Sequence, residues 1–592
     1  MAEKTKEKKQ KKTKKKNQEE KAQFSKELKI AYSSIDDRKK FIRQIFIPLI
    51  FLGIIIFILP FILEIAIPVP LEFNPLTFIL GGIVPIILAV LYPYVTWKNK
   101  ESDINGRIHF FITHLRVLAI SDLSIKDIIN ILGGNPAYGS LGEEIRKISV
   151  LTDQWRVPLA KAFIFTAQRT PSKILRDFLD RFSQALDSGV EHREFIETEQ
   201  NAVLQEYKTM YESSNENITI LNEVYVSMLI SIVFVMALGI VLPMIIGAED
   251  MNTFIYLSSF LLIVSEAMLL YFMKSMIPTD EVWHQTGEKG ELQQKLHQAL
   301  ILTIIASIAI GVALFTARYI LNLPLLSELP FEVLAAISIT PLIYPGIITF
   351  KKEQEITRKE RNFLGFLPAL GSIATLRGGK ICESVYYLSH KDYGILTRHV
   401  RDLYRRLRTR INDDDSWEWF GIDTGSNYIQ RSSEMFRQAT AAAANPRNVS
   451  QMIAENIRKI RNLRYKKFSI INTTMGLFGG ITFGIAFSVY TSLLIAQHLN
   501  NMLREGMQGD PFAATNIDLG ALLSSVPPVV FSNNMIIIFI VFCIHSFLLA
   551  LTLRTLRGSN FIVTFIFFVP FVWIVAITQL IVTTFLGGFL GY

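Results

Sequence analysis

Nine long apolar runs constrain this chain more than any other feature of its sequence. Half of its 592 residues are apolar and only 19% are charged, whereas an ordinary soluble domain is about 25% charged. A helix needs about 20 mostly apolar residues to cross the hydrocarbon core of a membrane. Runs of suitable length predict spans at 45–63, 76–96, 224–246, 253–273, 299–320, 331–350, 468–496, 535–553 and 561–586. The predicted fold class is therefore all-α, a polytopic membrane protein.

Lys and Arg are distributed so unevenly among the connections that they predict an orientation. The connections at 64–75, 247–252 and 321–330 contain no Lys or Arg, and the 497–534 loop contains only Arg504. The segments that alternate with them are basic. Because Lys and Arg favour the cytoplasmic side, the N-terminus is predicted to be cytoplasmic and the C-terminus extracellular, in the cell membrane.

Spans and connections together predict the organisation of the whole chain. In chain order, we predict a basic disordered tail at 1–43, spans at 44–97, cytoplasmic helical domain 1 at 98–222, spans at 223–273, a cytoplasmic loop at 274–298, spans at 299–350, cytoplasmic helical domain 2 at 351–467, a span at 468–496, an extracellular loop at 497–534 and two spans at 535–592.

A short motif occurs in both predicted domains, as YGSLGEEIRKI from Tyr138 and YGILTRHVRDL from Tyr393, 255 residues later. The first and fifth predicted spans begin 254 residues apart. The matching offsets predict a tandem duplication of span, span, domain, span, span, with a ninth span added. A chance similarity of two amphipathic helices is the alternative, but it explains only the leucine spacing.

Both predicted domains have helical rather than strand periodicity. Apolar residues recur at i, i+4 and i+7 from Leu141 and from Leu396, which is one stripe of a helix. Arg146 and Arg401 fall just off this stripe, where a side chain can reach solvent or a partner. Ser124 in the sequence SIKD predicts a capping box, and Thr170 before Pro171 predicts another helix start. Each domain is therefore predicted to be a small helical bundle.

Several longer segments carry a family resemblance. They are HFFITHLRVLAISDLSIKDIINIL from His109, ILRDFLDRFSQALDSGVEHREFI from Ile174, and the more divergent EMFRQATAAAANPRNVSQMI from Glu434. With the span plan, they resemble the type II secretion F family, the membrane platform proteins of type IV pili and type II secretion systems. The nine spans and long loops look most like the archaeal branch of this family, which includes the archaellum platform.

The resemblance implies a non-enzymatic platform whose cytoplasmic bundles meet a hexameric secretion ATPase and whose membrane part holds or lifts pilin-like subunits. The symmetry of such a ring leads us to expect a homodimer. A membrane transporter or channel with regulatory cytoplasmic domains is the alternative function. Which filament the protein would serve, an archaellum or a particular pilus, stays open.

The residues themselves predict no catalytic, cofactor or metal site. A P-loop is excluded because Gly379 and Lys380 lack the upstream glycine that the motif requires, Ala374 standing in its place. The nine histidines form no H-E-x-x-H or comparable ligand spacing. This lack of catalytic motifs fits a protein that is driven by ATP hydrolysis in a partner.

Charge separates the two predicted domains. The N-terminal tail has a net charge of +9, domain 1 of −2 and domain 2 of +10. We expect the tail to contact anionic membrane lipids and no nucleic acid, because its lysine run contains no aromatic residues and has no folded basic surface. The candidate ATPase-contact residues are Arg146, Lys147, Arg398, Arg401, Arg405, Arg406, Arg408 and Arg410. A merely solvated helix face is the alternative for the arginine cluster.

Four polar residues stand out within the predicted spans, namely Glu266, Asn472, His545 and Gln579. A carboxylate inside a membrane is costly and often functional. Glu266 has no Lys or Arg in its own span, however, and a transporter would usually show several polar positions near the midplane. A glutamate that faces the bundle and accepts a helix hydrogen bond is as reasonable a reading as a proton site.

Overall fold

The computed structural model describes residues 41–48, 50–51, 53–54, 75–246, 251–278, 280–284, 291–321, 323–327, 329–409, 412–508 and 528–590. The predicted all-α class is confirmed, since these residues form helices and no strand. Most of the predicted tail and of the first span lie outside the described residues, as does part of the predicted 497–534 loop.

Nineteen α-helices follow one another in the described part of the chain, with short 3₁₀ or π turns between some of them. They are α1 (Pro75–Ala119), α2 (Ile125–Gly134), α3 (Gly139–Asp153), α4 (Leu159–Ala167), α5 (Lys173–Asp187), α6 (His192–Ile246), α7 (Met251–Met276), α8 (Glu291–Tyr319), α9 (Pro324–Ser327), α10 (Phe331–Ile339), α11 (Ile343–Leu376), α12 (Ile381–Ser389), α13 (Thr397–Arg408), α14 (Asp413–Thr424), α15 (Asn427–Ala441), α16 (Pro446–Gln508), α17 (Pro528–Arg557), α18 (Thr564–Ile581) and α19 (Gly587–Leu590).

Seven stretches of the described residues are long and apolar enough to cross a membrane. They lie in α6, α7, α8, the run from α10 through α11, α16, α17, and the run from Phe561 to Leu586. These stretches overlap the last seven predicted spans over all or nearly all of their length. The two remaining predicted spans, at 45–63 and 76–96, are not among them, so the total of nine stays a prediction.

Local capping explains where two helices of domain 1 begin. The predicted cap of α2 is correct, because the Ser124 hydroxyl accepts a hydrogen bond from the backbone N–H of Asp127 at 3.2 Å. The predicted start at Thr170 is wrong. Ser172 caps α5 instead, accepting from the N–H of Leu175, and its hydroxyl is held by Asn105 of α1 at 2.5 Å. A tertiary contact therefore selected the capping residue.

Two very long helices connect the domains to the membrane bundle. At 1.5 Å per residue, α6 with 55 residues and α16 with 63 are about 80 and 95 Å long, far more than the roughly 30 Å hydrocarbon core. They pack against each other, and Glu212 of α6 pairs with Lys466 of α16 at 3.1 Å. These two residues are 254 positions apart, the offset predicted for the duplication, which itself remains a prediction.

The two predicted domains share one hydrophobic core. Phe111 and Tyr207 of domain 1 belong to the same buried cluster as Phe366 and Phe436 of domain 2. Polar contacts add to this interface; for example, the amide of Asn135 donates to the carboxylate of Glu434 at 2.8 Å. The two bundles thus form a single head above a separate apolar core that lies among the spans.

Candidate functional site

Four arginines of α13 form one exposed basic surface. Arg398, Arg401, Arg405 and Arg408 follow each other at i, i+3, i+7 and i+10, which places them on one side of the helix. The opposite side, with Val400, Leu403 and Leu407, is buried in the core of the head. The side chains of Arg398 and Arg405 are 89% and 76% exposed. We call these four residues the basic surface.

The other two arginines of the predicted cluster do not belong to this surface. Arg406 pairs with Asp423 of α14 at 2.6 Å, and only 27% of its side chain is exposed. Arg410 lies outside the described residues. Within the basic surface, Asp402 lies 3.0 Å from Arg405 and 3.9 Å from Arg398, so these two positive charges are partly compensated.

Tyrosines beside the basic surface were missed by sequence reasoning. α12 packs against α13, so the ring of Tyr386 lies 5.2 Å from the ring of Tyr404. Tyr387 is also exposed, and the guanidinium of Arg377 stacks on it at 3.8 Å. The adjacent Tyr386 and Tyr387 were a visible signal, but only the packing shows that Tyr386 contacts Tyr404 of α13 and that Tyr387 contacts Arg377. Tyr and Arg are enriched at the energetic centres of protein interfaces.

The corresponding helix of domain 1, α3, is less basic. Arg146 is exposed there, as predicted from its position beside the apolar stripe. Lys147 instead pairs with the buried carboxylate of Glu144 at 2.9 Å, which Lys100 of α1 also contacts. Arg146 and Lys147 are thus both exposed on α3, a different helix from the one that carries the basic surface.

A short segment between α7 and α8 connects the head to the membrane bundle. We call its described residues, 277–278 and 280–284, the connecting segment. Its backbone bonds to both sides: the N–H of Val282 donates to the carbonyl of Gly558, and the carbonyl of Val282 accepts from the N–H of Asn427. The indole of Trp283 donates to Glu353 at 2.9 Å. Domain 2 and the turn between α17 and α18 thus meet on this segment.

Asp280 anchors the connecting segment within the head through a buried charge network. Its carboxylate accepts a hydrogen bond from the Tyr211 hydroxyl of α6 and one from Lys467 of α16 at 3.2 Å, and Arg464 lies 3.8 Å away. Arg464 also lies 3.6 Å from Glu360 of α11. Burial by itself raises the pKa of Asp280, but Lys467, Arg464 and Tyr211 outweigh it and hold that pKa below its ordinary value.

A cavity of about 340 Å³ adjoins the connecting segment. Lys274 and Trp283 line one side of it, and Arg554 and Asn560 line another. Asp280 and Glu281 also line it, so basic and acidic groups face the same space. No group of three or more His, Cys, Asp or Glu side chains in the described residues is arranged to hold a metal ion.

The spans contain a second buried polar cluster, in which Glu266 contacts residues of two other helices. Its Oε1 atom lies against Nδ1 of His545, a residue of α17, and accepts a hydrogen bond from the Tyr225 hydroxyl at 3.2 Å. The other ring nitrogen of His545 faces the hydroxyl of Thr482 at 3.2 Å. Of the other predicted polar residues, Gln579 is buried elsewhere in α18 and Asn472 is exposed on α16.

The architecture defines the class: a multi-pass helical membrane protein whose two helical bundles form one head. Residues 111–240 match the model of the type II secretion system (T2SS) protein F family. A flagella accessory protein J from Methanocaldococcus jannaschii is 33% identical over 565 residues, which is 93% of this chain and 96% of that protein. One from Methanococcus voltae is 33% identical over 537 residues, 89% and 94% of the two chains. No solved structure shows significant similarity to the chain. The chain belongs to the type II secretion system protein F family, in the branch that includes flagella accessory protein J.

Proposed function

We propose that this protein is a non-enzymatic platform in the cytoplasmic membrane that couples a cytoplasmic secretion ATPase to the assembly of an archaellum or a type IV pilus-like filament. The proposal rests on the family, on relatives whose name refers to flagella, and on the basic surface. The head faces the cytoplasm in this account, with the N-terminus inside and the C-terminus outside.

The position of the basic surface is the observation that carries the proposal. α11 runs without interruption from the predicted span ending at residue 350 into the head. The turn that precedes α13 packs on α11 at Asn362, which is 12 residues, or about 18 Å along the helix, beyond that span. Charged headgroups extend about 5–7 Å beyond the hydrocarbon core, so this turn lies more than one Debye length, roughly 8 Å in physiological salt, from them. Screening weakens the attraction of lipid charge at that distance, and an acidic protein surface is the partner that we propose.

The construction of the head supports a role in transmitting force. Its two bundles share a core, and α1, α6, α11 and α16 continue from the head into predicted spans. The Asp280 network then fastens the connecting segment to α6 and α16. An ATPase that moved the basic surface would thereby move several spans together, which is the mechanical requirement for lifting pilin-like subunits.

The partners follow from the same proposal. A hexameric ATPase binds the head, pilin-like subunits contact the spans, and the basic tail at 1–43 contacts anionic lipids. Arg146 of α3 is a second point at which the ATPase can contact the head. A homodimer would present four bundles to the ring in a symmetric arrangement.

Two measurements on one preparation separate the platform from a transporter or channel. The full-length protein is reconstituted in liposomes for an ion-flux assay and in nanodiscs for co-purification with the secretion ATPase of the same organism. The proposal expects ATPase capture and no flux above empty liposomes. Flux without capture would establish the alternative.

A further inference from the structure

Glu266 and His545 are the only ionisable residues, other than tyrosines and a cysteine, in four neighbouring spans. Residues 224–246 of α6, 253–273 of α7, 468–496 of α16 and 535–553 of α17 otherwise contain no Asp, Glu, His, Lys or Arg. The fold brings these two residues into direct contact from different helices. Their side chains are 1% and 0% exposed. Such pairing is what an isolated polar group in a membrane interior requires.

The hydrogen-bond geometry is compatible with one simple arrangement of protons. The Thr482 hydroxyl can donate to the carbonyl of Phe478 at 2.8 Å, which leaves its oxygen as an acceptor for Nε2 of His545 at 3.2 Å. In that arrangement Nε2 of His545 carries a hydrogen. Nδ1 faces Oε1 of Glu266, and a hydrogen bond between them needs one proton, which is shared by a carboxyl group and an imidazole.

We infer that Glu266 and His545 form a site that holds one proton and fastens α7 to α17 within the membrane. With that proton the pair has no net charge, whether the proton sits on Oε1 or on Nδ1. Removing it would leave a buried carboxylate opposite an imidazole lone pair. Adding a second would leave a buried imidazolium. Either state would place an uncompensated charge in a medium of low dielectric constant.

The site also joins the helices of both domains. Tyr225 belongs to α6, which continues from domain 1, and Thr482 belongs to α16, which continues from domain 2. The Tyr225 hydroxyl donates to Glu266, and the Thr482 hydroxyl lies at hydrogen-bond distance from His545. Three polar contacts therefore link four spans, which otherwise share an apolar core.

The decisive variant keeps the hydrogen bonds and replaces the carboxyl group by an amide. In E266Q, one amide hydrogen can bond to Nδ1 of His545 and the other to the oxygen of Tyr225. We expect E266Q in detergent to have the thermal midpoint of the wild type and to support filament assembly in the native host. E266A leaves both neighbours unpaired, and we expect a lower midpoint and reduced assembly.

A double-mutant cycle tests the contact independently of the proposed function. Midpoints are compared for E266A, H545A and E266A/H545A, with Y225F and T482V as variants that each remove one hydrogen bond. We expect the double variant to be no less stable than the worse single variant, because each residue alone leaves the other unpaired. Additive losses in the cycle would refute the contact. A folded E266Q that fails to assemble filaments while keeping its midpoint would show instead that the proton must exchange, and would overturn the fastening role.

Discussion

Reversing the charge of the basic surface, in R398E/R401E/R405E/R408E, is expected to weaken binding of the ATPase without unfolding the head. All four side chains point away from the core, on the opposite side of α13 from Leu403 and Leu407. R406E is left out, because Arg406 pairs with Asp423 inside the head and its reversal would disturb folding. The variant changes the net charge of the surface by eight units.

The size of the effect follows from the exposure of these arginines. Exposed ion pairs contribute about 0.2–1 kcal/mol each, so losing four costs about 1–4 kcal/mol, or about fivefold to a thousandfold in Kd. Asp402 already compensates two of the four. We therefore expect the middle of this range, about 2 kcal/mol or about 30-fold, with most of the loss in the association rate.

The assay is binding of the ATPase to full-length protein in nanodiscs, because domain 2 alone would expose the core that it shares with domain 1. The matched control is R447E/R458E/K459E/R461E on α16, which has the same charge change at four exposed positions. The affinity of the wild type for the ATPase should fall as the salt concentration rises, and the affinity of the control variant should fall in the same way. Equal affinity of the two variants at low salt would refute a docking role for the basic surface.

The remaining predictions concern stability. G371A should lower the free energy of unfolding by about 1–3 kcal/mol, because its Cβ would lie 2.4 Å from a carbonyl oxygen of α16. G365A on the same helix places its Cβ in open space and should raise that free energy by up to about 1 kcal/mol. Urea titration of the detergent-solubilised protein compares the two variants. His109 and His114 are fully buried, and burial lowers the pKa of each to about 3. Because the unfolded chain binds protons there that the folded chain does not, each histidine should lower the free energy of unfolding by about 2 kcal/mol between pH 7 and pH 5. The thermal midpoint of H109N/H114N should therefore fall less than that of the wild type over this pH range. D280N should lower the free energy of unfolding by about 3–5 kcal/mol at pH 7, because it leaves buried cations uncompensated. Since the pKa of Asp280 is lowered from 3.8, the difference in unfolding free energy between D280N and the wild type should shrink as pH falls below that value.

The general architecture could be predicted because it depends on local patterns. The last seven predicted spans fall on helices that are long and apolar enough to cross a membrane, and 3.6-residue periodicity correctly marked α3 and α13 with their buried and exposed sides. Position beside an apolar stripe was enough to predict that Arg146 and Arg401 are exposed. Helix geometry alone determines such features, so one sequence contains the information.

What could not be predicted depends on contacts between distant segments. Arg406 was assigned to the exposed cluster because no local pattern reveals Asp423 as its partner. Glu266 and His545 are 279 residues apart, so Glu266 looked isolated within its own span. Asp280 lay in a connection with no apolar period, and its three partners come from α6 and α16. Each of these contacts requires the packing of helices, which periodicity does not specify.

The most direct test of the platform proposal is photo-crosslinking in living cells that carry the filament machinery. A photoreactive amino acid replaces Arg405 on the basic surface, and in a matched strain it replaces Arg458 on α16, which is also exposed. We predict a crosslink to the secretion ATPase from position 405 and little or none from position 458. A protein that is present in the membrane at normal amounts but crosslinks from position 405 only to lipid, or not at all, would contradict it.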